Sequence, residues 1–258
     1  MDRKIRVGAV SYLNTKPLLY GIERAPVRNN IELVIGHPAA IADMLLEGQI
    51  DLGLVPVAII PLMEEAYLNG DYCIASDGPV ASVCLFSERP LDQIEKVLLD
   101  YQSRTSSQLA RILLREHWQV RPEIVEGRKD FRNDIRGATA GVVIGDRAFE
   151  QRNISPYVYD LGEGWKALTG LPFVFAAWVS NKRLDLPFVT AFNEANRQGL
   201  LHIEEVVEEN PYHLYDLHDY FTLRLDYHMD ARKQLGLEKF LQYIRPIQTH
   251  SKKRYFSH

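Results

Sequence analysis

The sequence contains few cysteines and no long apolar run. Only two of its 258 residues are cysteine, Cys73 and Cys84, and each lies in an apolar or strand-like stretch. We therefore expect two buried free thiols rather than a disulfide or a metal-binding pair. The longest apolar run, from Leu52 to Leu62, is interrupted by one glycine and two prolines. It is too short to span a membrane, so no membrane segment is expected.

Motifs for bound nucleotides and for zinc are also missing. Neither GxGxxG nor GxxxxGK[ST] occurs, which argues against a nucleotide cofactor. The sequence has eight histidines, but His213, His218 and His228 are not spaced as in HExxH or in paired Cys/His zinc sites. Their aromatic and acidic neighbours favour helix packing or the surface. The sequence thus predicts neither a metal site nor a cofactor.

An excess of positive charge is absent as well. The formal net charge is -4 at pH 7, which argues against a general nucleic-acid surface. A small anion is still compatible, because local donors and helix ends matter more to a buried site than net charge does. The first residues, Met1–Lys4, lack the apolar core and cleavage site of a secretory signal, so we expect a cytoplasmic protein.

The chain opens with alternating strand and helix patterns. Ile5–Val10 is nearly continuously apolar, as is typical of a strand buried on both faces of a parallel sheet. Ile31–Ile35 and Asp51–Leu54 predict two further strands, and Pro38–Leu46 predicts a helix between them. Right-handed crossovers between these units would build a parallel sheet.

The pattern starts again after Glu88–Leu91. Strands are predicted at Lys96–Asp100, Glu123–Val125 and Ala140–Ile144, and a helix at Ser103–His117. This indicates a second α/β domain, residues 88–180, inserted into a first made of residues 1–87 and 181–258. The chain returns through Phe173–Val179, with hinges expected at about Ser87–Pro90 and Ser180–Arg183. Helices are predicted for 186–199, 200–209, 214–223 and 227–244, and the polar, basic tail at 249–258 is expected to be loosely held.

Candidate site residues lie at the ends of two of the first three strands. Ser11, Asn14 and Thr15 lie just after the first strand, and Pro56 lies at the end of the third. Because ligands bind beyond the carboxyl ends of strands in open α/β sheets, these residues are candidates for a site. The simpler alternatives are that Asn14 or Thr15 caps a helix near Pro17, and that Pro56 marks a helix start.

A second polar cluster opens the helix predicted at Ser103–His117. Its hydroxyl groups, free backbone N–H groups and positive dipole end favour a bound carboxylate, although Ser103 or Thr105 alternatively serves only as a cap. Asp146 follows a buried strand and Gly145, so it is a candidate for orienting a hydroxyl group, for acid–base chemistry or for capping the next helix. The spacing of Asp160, Glu163 and Trp165 suits a loop, in which Trp165 is interpreted as packing.

Several blocks resemble one enzyme family. Ser11–Leu18 closely resembles the start of the chorismate dehydratases of the futalosine-type menaquinone pathway. The other similar blocks are Leu54–Ala58, Ser103–Ser107, Ile144–Arg147, Asp160–Trp165 and Leu168–Phe173. The resemblance implies a two-lobed α/β fold like that of type II periplasmic binding proteins, with a ligand cleft between lobes that close by hinge motion. It covers most of the first two-thirds of the chain and little of the last third.

The resemblance also implies an activity and a set of site residues. The activity is dehydration of chorismate to 3-[(1-carboxyvinyl)oxy]benzoate, without a cofactor. Asn14 and Asp146 are the candidate catalytic residues. The candidate substrate-binding residues are Ser11, Thr15, Pro56, Ser82, Arg104, Thr105, Ser106, Ser107, Gly145 and Thr169.

Three questions are open from the sequence. The proton acceptor is either Asp146 or a carboxylate of the substrate itself, and the second is favoured because the matched blocks are dominated by neutral donors. The main alternative function is a non-catalytic solute-binding protein for a small anion, because one fold serves many functions. The oligomeric state, monomer or homodimer, is not indicated.

Overall fold

The structure is a computed structural model that describes residues 3–245 of the chain. Within those residues the chain forms two compact units. Unit 1 takes residues 3–74, 174–211 and 227–245, and unit 2 takes residues 75–173 and 212–226. The predicted loose tail at 249–258 lies outside the described residues.

The described residues contain strands and helices in alternation. The strands are β1 Ile5–Val10, β2 Ile31–Gly36, β3 Leu52–Pro56, β4 Tyr67–Ser76, β5 Val83–Ser87, β6 Lys96–Leu99, β7 Glu123–Glu126, β8 Thr139–Ile144, β9 Tyr157–Asp160, β10 Phe173–Ser180 and β11 Asp226–His228. The α-helices are α1 Lys16–Arg24, α2 Pro38–Leu46, α3 Arg104–Ile112, α4 Asp146–Arg152, α5 Leu161–Thr169, α6 Leu186–Leu200, α7 Ile203–Glu209, α8 Leu217–Asp219 and α9 Ala231–Ile244. Two π-helical turns, Leu113–His117 and Tyr220–Arg224, extend α3 and α8.

Unit 1 is built on a six-stranded sheet with the order β11-β4-β10-β3-β1-β2. β1 is parallel to β2 and to β3, and β10 is antiparallel to β3. The predicted parallel arrangement of the first three strands is therefore confirmed. The carboxyl ends of β1, β2 and β3 lie at one edge of the sheet.

Two glycines let α1 and α6 approach closely in unit 1. A Cβ atom at Gly21 would overlap the carbonyl oxygen of Ala195, and one at Gly199 would overlap that of Pro17. Neither backbone can yield easily, so larger side chains at either glycine would separate the helices. Trp178 of β10 is buried nearby and donates its indole N–H to Asn196 of α6 at 3.2 Å.

Unit 2 is built on a five-stranded sheet with the order β7-β6-β8-β5-β9. β6 is parallel to β7 and to β8, whereas β5 is antiparallel to β8 and to β9. Its core includes Cys84, Phe86, Phe131 and Val143. Both cysteines of the chain are buried free thiols, as the sequence predicts.

The strand pairing corrects the predicted domain boundaries. Boundaries after residues 87 and 180 assign β5 to the first lobe and β10 to the second. In the structure β5 pairs with β8 and β9, and β10 pairs with β3, so each strand belongs to the other sheet. Residues 212–226 also group with unit 2. The predicted hinges and the predicted cleft between lobes stay predictions.

Most predicted elements form, and two predictions are wrong. The region from Asp160 to Trp165 is not a loop, because Asp160 ends β9 and caps α5. Gly162 and Gly164 lower the helical signal there, since glycine has a low helix propensity. The last helix begins at Ala231 instead of Tyr227, because Asp226–His228 forms an edge strand and Asp230 accepts the N–H of Lys233 as the cap. Within residues 3–245 no helix is both long enough and apolar enough to cross a membrane.

Candidate functional site

The first group of candidate residues lies at the carboxyl ends of β1 and β3 in unit 1. Ser11 directly follows β1 and donates its backbone N–H to Gly36 at 3.1 Å, which ties the turn to the end of β2. Its side chain is exposed. Pro56 is the last residue of β3 and is buried, and a 3₁₀ helix begins directly after it. The alternative role of Pro56 as the start of a helix is thus confirmed, and a role in binding stays a prediction.

Asn14 and Thr15 do not cap α1. Thr15 stands immediately before the helix, but no side chain there accepts a backbone N–H group. Instead the buried Thr15 hydroxyl group donates to Asn14 Oδ1 at 3.1 Å, and Tyr227 donates to the Asn14 carbonyl oxygen at 3.0 Å. The Thr15 bond orients the side-chain amide of the half-buried Asn14, and the Tyr227 bond holds its backbone. Within residues 3–245 its Nδ2 group has no hydrogen-bond partner, so it is a positioned donor.

The second group lies at one edge of the sheet of unit 2. The carboxyl ends of β6, β8 and β9 meet there, together with the start of the antiparallel β5. Three helices, α3, α4 and α5, begin just after these strand ends. Backbone N–H groups and the positive ends of the helix dipoles therefore gather at this edge, which favours negative charge.

At the start of α3, Ser103 is the cap. Its Oγ accepts the backbone N–H of Ser106 at 3.0 Å, which confirms the capping role that the sequence left open. Thr105, Ser106 and Ser107 are buried, and Arg104 is half-buried. Their part in substrate binding stays a prediction. The Ser107 hydroxyl group donates to the carbonyl oxygen of Asp100 at 3.4 Å, which ties the helix to the end of β6.

Asp146 is the first residue of α4 and lies one position inside the helix from the cap residue. Gly145 precedes it with φ 64° and ψ -150°, a conformation that side chains with a Cβ rarely adopt. Asp146 is half-buried. Whether it accepts a proton stays a prediction.

An ion pair that the sequence did not indicate joins α4 to β6. The side chain of Asp100 is fully buried and accepts from Arg147 at 2.7 Å, and its second oxygen accepts the backbone N–H of Gln102 at 3.0 Å. Arg147 also donates to the side-chain oxygen of Gln102 at 2.9 Å. Removing one partner of such a buried pair is costly because it leaves the other charge uncompensated. The pair therefore fixes the start of α4 relative to the loop before α3.

Ser82 and Thr169 both make hydrogen bonds to residues of unit 2. Ser82 is buried, and its hydroxyl group accepts from Tyr220 at 2.6 Å. Thr169 ends α5, where its hydroxyl group donates to the Trp165 carbonyl oxygen at 2.8 Å and accepts from the Leu171 N–H at 3.2 Å. Thr169 thus finishes a helix, and no hydrogen bond described for it joins it to the other candidates. Trp165 is fully buried, which confirms its packing role.

Burial and the charge of Asp146 affect the pKa of the neighbouring Tyr212. Burial, together with the charges of Asp146 and Glu150, raises the pKa of Tyr212 to about 12. The Tyr212 hydroxyl group donates to the carbonyl oxygen of Asp146 at 3.2 Å. Tyr212 therefore stays neutral at physiological pH and acts as a donor to the first turn of α4.

Among residues 3–245 no group of three or more His, Cys, Asp or Glu side chains is arranged to hold a metal ion. Two of the three histidines considered from the sequence take part in ring contacts. His228 lies against Tyr72 with ring centroids 5.0 Å apart, and His213 lies 6.1 Å from Tyr212.

Solved structures share this fold. A protein from Archaeoglobus fulgidus superposes with a TM-score of 0.73 at 13% identity, covering 94% of this chain and 97% of its own. The alkanesulfonate-binding protein of Xanthomonas axonopodis pv. citri bound to MOPS gives a TM-score of 0.61 at 16% identity, covering 92% and 90%. A Candida albicans protein with the generic periplasmic-binding-protein fold gives 0.63 at 13% identity, covering 93% and 90%. The predicted periplasmic-binding-protein-like fold is confirmed.

Sequence relatives indicate which family with this fold the chain belongs to. The chorismate dehydratase of Thermus thermophilus is 29% identical over 92% of this chain and 93% of its own length. The chorismate dehydratase of Campylobacter jejuni is 28% identical over 66% of this chain and 64% of its own. A family model described as menaquinone biosynthesis matches residues 5–246, nearly the whole chain. The chain therefore belongs to this menaquinone biosynthesis family.

Proposed function

We propose that this protein is a hydro-lyase that dehydrates chorismate to 3-[(1-carboxyvinyl)oxy]benzoate in menaquinone biosynthesis. The observation that carries the proposal is the end-to-end match to a chorismate dehydratase, which spans 92% of this chain and 93% of that enzyme. The two buried free thiols suit a reducing compartment, and we place the reaction in the cytoplasm.

The reaction removes one molecule of water. A base takes the proton from C3 of the ring, the C3–H electron pair enters the ring, and the C4–O bond breaks. The departing hydroxide leaves as water once it gains a proton, and the ring becomes aromatic. Negative charge that develops at C3 delocalises through the diene toward the ring carboxylate. The protein accelerates this step by placing donors where that charge accumulates.

The edge of unit 2 has the chemistry to stabilise such a carboxylate. The first turn of α3 presents the helix dipole and the hydroxyl groups of Thr105 and Ser106, and Arg104 adds a half-buried cation. Thr105 and Ser106 are buried and Arg104 is half-buried, so Arg104 is the most exposed of these three residues. We assign the ring carboxylate to this turn.

Asn14 supplies the donor for the leaving group or for the enolpyruvyl group. Its Oδ1 is held by Thr15, and its carbonyl oxygen by Tyr227. The Nδ2 group is thereby pre-oriented, and a pre-oriented donor needs no reorganisation when the hydroxyl group leaves.

For the proton acceptor we favour a carboxylate of chorismate over Asp146. The surface-reaching candidates other than Asp146 are Ser11, Asn14, Arg104 and Thr169, and none of these is a base at neutral pH. A substrate carboxylate held against C3–H acts intramolecularly, and such proximity lowers the barrier substantially. Asp146 is the alternative, because it is the only acid among the candidates.

The decisive experiment incubates purified protein with chorismate and follows the aromatic enol ether by ultraviolet absorbance and mass spectrometry. We expect enzyme-dependent product with and without a chelator. Activity that disappears with chelator and returns with one added metal would show a metal requirement. Chorismate binding without any product would instead identify a solute-binding protein of the same fold.

A further inference from the structure

The segment from Tyr212 to Asp226 groups with unit 2, although its neighbours in sequence belong to unit 1. Its aromatic rings surround Phe149 of α4. Ring centroids lie 5.9 Å from Phe149 for Tyr212, 4.5 Å for Tyr215 and 5.1 Å for Tyr220. The segment is therefore fixed against the helix that begins with Asp146.

Tyr220 uses its hydroxyl group within this packing. It donates to Ser82 Oγ at 2.6 Å, and both residues are buried, at 0% and 1% exposure. Burial raises the pKa of Tyr220 well above its ordinary value, against a smaller opposing effect of the Ser82 hydrogen bond. The phenol is thus neutral and remains a donor over the whole working pH range. Tyr220 also opens a π-helical turn, a feature frequent at functional sites.

Ser82 belongs to a strained turn that contacts the start of α4. The preceding Ala81 has φ 66°, which is unfavourable for a residue with a Cβ. Its N–H donates to Asp160 at 2.7 Å, and its carbonyl oxygen accepts from Arg152 at 2.9 Å. The Ser82 carbonyl oxygen accepts the N–H of Gly145 at 2.8 Å. Strain persists only where surrounding contacts over-determine a conformation, and it clusters at functional sites.

We infer that Tyr220 is a positioning residue for the proposed reaction. Its hydroxyl group fixes Ser82 and, through the Ser82 backbone, the Gly145–Asp146 turn. The inference rests on the proposed function. A second contact of the same kind supports it, since Tyr212 donates to the Asp146 carbonyl oxygen at 3.2 Å. Tyr220 thus holds Ser82, and Tyr212 of the same segment holds the backbone of Asp146.

Tyr220→Phe tests the inference because it keeps the ring that packs edge-on against Phe149 and removes only the hydroxyl group. We expect kcat for chorismate to fall ~10-fold, the scale of one hydrogen bond to a buried group, with a smaller change in KM. The matched control is Tyr215→Phe. Tyr215 lies in the same aromatic cluster, but its hydroxyl group donates to Asp219 at 3.4 Å, so kcat should stay within about twofold.

A double-mutant cycle separates positioning from packing. Ser82→Ala and Tyr220→Phe should each lower kcat/KM ~10-fold, and the double variant should also be lowered ~10-fold instead of ~100-fold, since both remove one linkage. Independent losses that multiply would overturn the inference. So would a Tyr220→Phe variant that unfolds at a lower temperature but keeps its kcat below that temperature.

The activity of the wild-type protein on chorismate distinguishes a failure of the proposed function from a failure of the positioning role of Tyr220. If it makes no aromatic product from chorismate, the proposed function fails and the inference fails with it. If wild type is active and Tyr220→Phe matches it in kcat, only the positioning role is rejected.

Discussion

Asn14 is the residue whose side chain is best placed to act as a donor, because its oxygen is engaged by Thr15 and its nitrogen has no hydrogen-bond partner among residues 3–245. We expect Asn14→Ala to lower kcat/KM roughly 10- to 1000-fold, the scale of losing one preorganised donor. Steady-state kinetics with chorismate measure this. The matched control is Asn29→Ala, since Asn29 is exposed and distant in sequence from the turn. A variant with wild-type kinetics would remove Asn14 from the site.

Asp146→Asn decides between the two proton acceptors. The change keeps the shape of the side chain and removes its ability to accept a proton. We expect most activity to remain, because a substrate carboxylate is the favoured base. A loss of about 100-fold or more would make Asp146 the base. Glu150→Gln is the control, since Glu150 is an exposed carboxylate on the same helix that pairs with Arg132 at 2.7 Å.

The same variant has a spectroscopic readout. The Asp146 charge is one cause of the raised pKa of Tyr212, about 12, after burial. An anion disfavours a nearby phenolate, so removing the charge should lower the pKa of Tyr212. An ultraviolet titration of phenolate absorbance measures the shift, and it confirms that the substitution acted where intended.

Some residue roles follow from the sequence and others do not. A serine just before an amphipathic helical pattern predicts a helix cap, and Ser103 is such a cap, since it accepts the Ser106 N–H. The Tyr220–Ser82 bond joins residues 138 positions apart, and the Asp100–Arg147 pair spans 47. Such pairs arise only when strands and segments come together, so no local pattern indicates them.

At the scale of single elements, the start of α3 gives a stability prediction. Ser103→Ala removes the oxygen that accepts the Ser106 N–H, so the free energy of unfolding should fall by about 1 kcal/mol. Ser103→Gly should cost only a few tenths, because glycine leaves the first N–H groups open to water. Denaturant unfolding of both variants measures the difference. A Ser103→Ala variant as stable as wild type would mean that the Ser103 hydroxyl group does not serve as the cap.

Asp51 links β1 to the end of β10 and carries a pH prediction. Burial would raise the pKa of Asp51, but hydrogen bonds from Lys182 and Arg6 outweigh burial and hold the pKa at about 2. A carboxyl with a depressed folded-state pKa stabilises the fold above its unfolded pKa. This stabilisation, about 2 kcal/mol, should be lost as pH falls from about 4 to about 2.

Denaturant titrations across that pH range measure the effect. Asp51→Asn should be less stable at pH 6 and should lose this part of the pH dependence. Asp92→Asn, at an exposed position, is the control and should follow wild type. A wild-type protein whose stability is flat between pH 4 and pH 2.5 would contradict the contribution of Asp51.

Elements with strong periodicity were predictable, and short or glycine-containing ones were not. α2 begins and ends at the predicted Pro38 and Leu46, and β8 begins one residue before the predicted Ala140. α5 contains Gly162 and Gly164, whose missing side chains admit close neighbours such as Leu113, so its pattern looked like a loop. β11 has only three residues, too few for an alternation to appear.

For the whole molecule, the division into units depends on pairing across the chain. β5 and β10 are each apolar and strand-like, and nothing within either stretch says which sheet it joins. Their partners decide it, and these partners are β8 and β9 for the first and β3 for the second. The same reasoning explains residues 212–226, whose place in unit 2 comes from aromatic contacts with Phe149. Family similarity, in contrast, was visible in the sequence because its blocks are local.

The last prediction concerns ligand binding to the whole protein. Chorismate should raise the unfolding temperature, because a ligand that binds only the folded state stabilises it by mass action. At 100 times the dissociation constant the gain is about 2.7 kcal/mol, which corresponds to roughly 5–10 °C for a chain of this size. Differential scanning fluorimetry with chorismate in large excess measures the shift. Benzoate is the matched control, since it keeps the ring carboxylate but lacks the hydroxyl and enolpyruvyl groups, and its shift should be smaller. No shift at millimolar chorismate would count against chorismate as the substrate, even if benzoate bound.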